Sequence, residues 1–234
     1  MPIAQVNGQA IHYSDSGGNG PAIIFSHGFL MDLSMFDAQV DALKGEYRCV
    51  AWDERGFGQT PVAAPFSYWD SANDAVALLE YLGIETAVFA GMSQGGFLSL
   101  RAALAHPDCV RGIVMIASES GAFTGEQIEA HEALFNQWQM AGPLGDLGET
   151  VAGLIIDHPD LGRDWIAKWN ARDRSTLKEP LEALLFRDDI TDYVSDITCP
   201  VLIIHGEEDQ AIPVAAAEEL EKQLRDCRGL VKVP

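Results

Sequence analysis

The residue best placed for chemistry in this chain is Ser93, in the run Val-Phe-Ala-Gly-Met-Ser-Gln-Gly-Gly-Phe from Val88 to Phe97. A serine hydroxyl becomes a useful nucleophile only when the fold exposes it and a neighbouring base takes its proton. A G-x-S-x-G pattern does not establish this alone, because glycine and serine are ordinary turn residues. The flanks of Ser93 carry more. "AVFA" from Ala87 to Ala90 reads as a buried strand, and "GGFLSLRAALAHP" reads as a helix that begins near Gly95 and ends before Pro107. A serine on a tight strand-to-helix turn has the setting of a nucleophile elbow. Gly91 and Gly95 lack a Cβ, so strand and helix can approach across a bend that holds the serine at a strained backbone angle. The helix N-terminus then aims its free N–H groups and positive dipole end at whatever forms beside the hydroxyl, an oxyanion included.

The elements that must position this turn follow a regular alternation. Four further runs read as buried strands: Ala22 to Ser26, Arg48 to Trp52, Gly112 to Ala117 and Val201 to His205. They are short, apolar throughout and bounded by Gly, Asp or Pro, which is the pattern of a parallel sheet covered on both faces. Leu230 to Val233 reads as a last core strand. Between them, the segments 35–45, 71–83 and 214–226 place their apolar residues at helical spacing. Strand–helix alternation predicts βαβ units and an open, mostly parallel α/β sheet with helices on both faces.

One segment breaks the rhythm. From about Ser120 to Thr198 there are four helical patterns and no convincing strand. This predicts an all-helical insertion over one end of the sheet, dividing the chain into core (1–119), cap (120–198) and core again (199–234). Phe135, Trp138, Trp165 and Trp169 are expected to pack the insertion's own core, the alternative being a wall of a substrate pocket.

Composition narrows the function. Hydrophobic residues make up 47% of 234, enough for a large core. Asp and Glu number 35 against 15 Lys and Arg, a formal charge of −20. That charge repels nucleic acid and anionic membranes, so neither is expected as a partner. Cys49, Cys109, Cys199 and Cys227 are far apart and read as buried thiols in a reducing, cytoplasmic compartment. The N-terminus shows no signal peptide, and no apolar run approaches the ~18 residues of a membrane span. "AHEALF" lacks the second His of an H-E-x-x-H zinc pattern, so no metal is expected.

Four motifs in order then resemble the α/β-hydrolase fold enzymes, over nearly the whole chain. "FSHGF" (25–29) resembles the loop after the third strand, which would supply one oxyanion N–H, that of Phe29. "WDERGFGQT" (52–60) resembles the D-x-R-G-x-G-x-[ST] turn, with Asp53 and Arg55 as turn-building ion pairs. "GMSQGG" resembles the nucleophile elbow, and the second oxyanion N–H would belong to Gln94. "HGEEDQAIP" (205–213) resembles the turn carrying the triad acid, here Asp209, with Glu119 as the lesser candidate for that role. The insertion resembles the family's cap. His27 and His205 read as structural.

The resemblance implies acyl transfer through an acyl-enzyme, with no cofactor. The dehalogenases and epoxide hydrolases of the fold attack with a carboxylate, so a serine points away from them. The oxyanion loop has neither the glycine-rich form of many lipases nor the extension found in carbon–carbon hydrolases. The pattern is closest to small carboxylesterases, enol-lactonases and cofactor-free perhydrolases. The substrate implied is a small ester or lactone. A C–C bond hydrolase, a perhydrolase and a non-catalytic binding protein on the same fold stay open, as does a homo-oligomer. One part of the triad is not found. The order on this fold is Ser, acid, His, yet no His follows Asp209, and none of the six histidines occupies the family's base position. The expectation is therefore a natural product longer by about one loop and one helix, and very poor ester hydrolysis by the 234 residues as written. The rival expectation is that His131 or His158 has taken over the role.

Overall fold

Apolar runs covered on both sides become strands. In the computed structural model, which describes residues 2–156 and 158–234, β3 (Ala22–Ser26) is buried at every position. It pairs in parallel with β4 (Arg48–Trp52) on one side and β5 (Ala87–Met92) on the other. The parallel ladder continues through β6 (Val110–Ile116), β7 (Val201–Gly206) and β8 (Cys227–Val233). At the other edge, β1 (Ile3–Val6) and β2 (Gln9–Asp15) form an antiparallel hairpin, and β2 joins β4 antiparallel. The sheet order is β1-β2-β4-β3-β5-β6-β7-β8. The hairpin is absent from the sequence reading above. Its signal is Asn7-Gly8, with φ of 47° and 71°, the pair of left-handed residues that a two-residue hairpin turn requires.

Because successive side chains of a strand point to opposite faces, one register row serves two cores. Ile24 stands beside Val50 and Phe89, and these pack with α2 (Tyr68–Tyr81), α3 (Gln94–Ala105) and α8 (Val214–Gln223). The next row, Phe25 with Ala51 and Ala90, faces the opposite side and packs on Phe36, just before α1 (Asp37–Leu43). Helix α2 starts where Ser67 and Asp70 cap each other's backbone N–H groups.

Residues 120–198 hold α4 (Gly125–Trp138), α5 (Asp146–Ile155), α6 (Pro159–Ala171) and α7 (Lys178–Leu185), with no strand among the described residues. Phe135, Trp138 and Trp169 are buried together, the two indole rings 5.2 Å apart. Trp165 is only partly buried and carries Lys168 over its ring. This cluster continues into Leu30, Met31 and Phe57, from the loops after β3 and β4. The Trp169 indole donates to the Leu30 carbonyl at 2.8 Å. The Lys168 ammonium reaches Asp32 and Ser34. The four thiols are unpaired, and only Cys49 is fully buried, the other three lying part-exposed near strand ends. Among the described residues, no helix is long and apolar enough to cross a membrane.

Candidate active site

Ser93 sits between β5 and α3 with φ 49° and ψ −115°, a region that non-glycine residues enter only when surroundings force them. Three contacts do so. The Ser93 N–H donates to Ile116 O at 2.9 Å. Its carbonyl accepts from Gly96 N at 2.8 Å and from the Ser118 hydroxyl at 2.8 Å. The flanking glycines have steric reasons. A Cβ on Gly91 would lie 2.0 Å from Gly95 O, and one on Gly95 would lie 2.0 Å from Ser26 O. The Ser93 hydroxyl makes no hydrogen bond among the described residues, so the elbow presents it free.

Parallel strands put the loops after β3, β5, β6 and β7 at one end of the sheet, beyond the strands' carboxyl termini, and Phe29, Ser93 and Asp209 all lie on these loops. Neither the Phe29 nor the Gln94 backbone N–H has an acceptor among the described residues. The Phe29 ring packs edge-on against Phe57 and against Phe135 of α4, so a cap helix rests on this loop. The Gln94 side chain is buried: its amide donates to Glu54 Oε1 at 3.1 Å, and its carbonyl accepts from Tyr68 at 3.2 Å.

Asp209 Oδ1 accepts from the backbone N–H groups of Ala211 and Ile212, at 2.8 and 2.9 Å. Its other oxygen lies 3.5 Å from His205 Nε2. That nitrogen nevertheless donates to Ile212 O at 2.7 Å, so His205 fastens the turn. His27 donates through Nδ1 to Gly28 O and accepts at Nε2 from Glu54 N. A ring nitrogen that accepts carries no proton, and burial holds the His27 imidazole below its ordinary range, neutral. His12 binds Asp53 at 2.6 Å, His106 binds Asn73, His131 donates to Gln127 O, and His158 caps α6. No imidazole among the described residues is bonded to Ser93, and the cap histidines His131 and His158 are engaged elsewhere.

Asp53 and Arg55 do not pair with each other. Asp53 takes His12, Leu33 N and Gln59 N, while Arg55 forks onto the buried Asp74. Glu119 binds Arg187, whose guanidinium stacks on Phe97 and Phe123. Burial pushes the Glu119 carboxyl up from its usual range, against the pull of Arg187. Arg187 also donates to Leu184 O at 3.0 Å, so the pair fastens the end of α7. Sequence reasoning passed over Glu54 and Ser118. Glu54 stands among charged turn residues, and nothing in that pattern marks it as buried.

A family model described as alpha/beta hydrolase fold matches residues 21–160. The chain is 28% identical over 214 residues to 3-oxoadipate enol-lactonase 1 of Acinetobacter baylyi, covering 88% of this chain and 78% of that one. It is 27% identical over 228 residues to the pimeloyl-[acyl-carrier protein] methyl ester esterase of Aeromonas hydrophila, covering 92% and 87%. The solved enol-lactonase from Burkholderia xenovorans superposes with a TM-score of 0.89 at 26% identity, over 99% of this chain and 91% of that one.

Proposed function

The chain belongs to the alpha/beta hydrolase fold family, and from that premise we propose that it hydrolyses a small carboxylic ester or lactone through an acyl-enzyme on Ser93. The observation that carries this reading is the elbow: a hydroxyl held at positive φ at a helix start, where neither it nor the Gln94 N–H is engaged by any of the described residues. Relatives named for lactone and ester hydrolysis support the substrate class. The four unpaired thiols fit a reducing compartment, and we place the reaction in the cytoplasm, with no cofactor.

In this reading the Ser93 oxygen attacks the acyl carbon as its proton passes to a base. The carbonyl electrons move onto oxygen, between the Phe29 and Gln94 N–H groups. Collapse expels the alkoxide, which takes a proton, and water repeats the sequence to release the acid. Asp209 is the acid of the triad. No base is assigned among the described residues. Phe29 and Gln94 act only on charge that develops in the tetrahedral states, so they raise kcat rather than binding.

Two measurements test the reading. With free imidazole supplied as base, a fluorophosphonate probe should label Ser93, mapped by peptide mass spectrometry, and Ser93→Ala should lose both the label and the imidazole-dependent p-nitrophenyl acetate turnover. Turnover undiminished in Ser93→Ala, or label on another residue, would refute it.

A further inference from the structure

Glu54 lies in the charged turn "WDERGFG", yet it is 1% exposed. No cation pairs with it among the described residues, since the adjacent Arg55 is committed to Asp74. A buried carboxyl without a partner charge is expensive to ionise, and burial pushes Glu54 well above the usual carboxylate range. The active-site reading above gives this group no role.

Its contacts give it one. The Glu54 backbone N–H donates to His27 Nε2 at 3.1 Å, and His27 Nδ1 donates to Gly28 O at 2.8 Å, one residue before Phe29. The Glu54 carboxyl accepts from Gln94 Nε2 at 3.1 Å, and Gln94 is held from its other side by Tyr68. A continuous chain thus runs Gly28–His27–Glu54–Gln94–Tyr68, buried at every member. It begins at the loop of one N–H donor and ends on the side chain of the other. We propose that Glu54 is a positioning residue that ties the Phe29 and Gln94 arms into one rigid unit. The inference rests on reading those two N–H groups as the oxyanion donors.

The chemistry of the link suits that task. The Glu54 carboxyl offers an oxygen to the Gln94 amide at 3.1 Å. The buried Ser71 hydroxyl acts on the same carboxyl as a donor, favouring its ionised form without overcoming the effect of burial.

The test uses the full chain and two variants. Glu54→Met removes the acceptor at similar volume, whereas Glu54→Gln keeps it. Glu54→Met should shift the backbone amide NMR signals of both Phe29 and Gln94, and Glu54→Gln should return both towards wild type. In p-nitrophenyl acetate turnover with free imidazole supplied as base, Glu54→Met should lower kcat by about 10- to 100-fold with KM nearly unchanged, less than the ~10²–10³ expected for outright loss of a donor. Glu54→Gln should recover most of it. Should Glu54→Met not fold, Gln94→Leu carries the test from the other end. It keeps the Gln94 backbone N–H but cuts the link, so the Phe29 amide on the opposite arm should move. Movement of one arm only, or a change in KM at constant kcat, would overturn the proposal. If both arms move while wild-type Ser93 proves inert to ester and probe, the link stands and the hydrolase reading falls.

Discussion

Gly95 tests the geometry of the elbow most sharply, because two effects of opposite sign meet there. It is the second residue of α3. On helix propensity alone, Gly95→Ala should stabilise by up to ~1 kcal/mol. The structure opposes this. The added methyl carbon would lie 2.0 Å from Ser26 O, 2.6 Å from Ser26 C and 2.9 Å from Ser26 Cβ. An ordinary C···O contact is about 3.3 Å, so more than 1 Å must be found. Neither side can easily give it. Ser26 is paired to Trp52 on one side and Gly91 on the other, and its hydroxyl accepts from the Trp52 indole. Overpacking of a rigid core costs ~3 kcal/mol at the upper end of its usual range, leaving a net loss of ~2 kcal/mol or more. For a chain of this size that is a fall in Tm of roughly 4–8 °C. Gly153→Ala is the control. It lies inside α5 with nothing within 4 Å of the new methyl, so Tm should rise by about 1–4 °C. Circular dichroism melts of the three proteins decide the matter. A Gly95→Ala variant as stable as wild type would show that helix and strand are not in the contact described.

Three further outcomes are expected. Arg55→Met leaves Asp74 fully buried without its cation, which should cost ~3–5 kcal/mol; a urea midpoint within error of wild type would contradict it. Glu54 has a raised folded pKa, so the folded state binds the extra proton, and its contribution to stability falls as pH rises above the unfolded value of about 4.3. Glu54→Gln should therefore gain on wild type progressively as pH rises from about 5 to 8 and converge with it near pH 4; a gap independent of pH in urea titrations would refute the assignment. Because no imidazole among the described residues is bonded to Ser93, free imidazole should speed p-nitrophenyl acetate hydrolysis by wild type more steeply than in the presence of Ser93→Ala. Equal slopes against imidazole concentration would count against Ser93 as a nucleophile awaiting a base.

Much of the scaffold was legible because it rests on local pattern. The five continuous apolar runs became the parallel strands β3 to β7 within a residue or two, since a strand buried on both faces cannot hide among polar residues. The insertion was visible as a change of period. The β1–β2 hairpin was not, because a half-exposed edge strand such as "IAQV" alternates too weakly to stand out, and only Asn7-Gly8 announced the turn. The elbow was readable from Gly91 and Gly95 because close backbone approach admits no Cβ. The partners of charged residues were not readable. Asp53 found His12 41 positions earlier, Arg55 found Asp74, and Glu54 found Gln94. Such pairings are fixed by how loops from separate strands meet, and no spacing along the chain encodes that.

The cap is fastened to the core partly through one short loop. Trp169 bonds Leu30 O, Lys168 reaches Asp32 and Ser34, and Phe135 packs on Phe29. These contacts all fall on residues 29–34, the segment that begins with the Phe29 N–H. Any movement of α4 or α6 away from this segment breaks those contacts, and thermodynamic linkage makes the coupling run both ways. A covalent adduct that orders the Phe29 loop would slow amide hydrogen exchange along Pro159–Ala171, helix positions that need not touch it. On the function proposed above, admission of substrate and alignment of the Phe29 N–H are then two readings of a single equilibrium, and a substitution that loosens α6 would change both together.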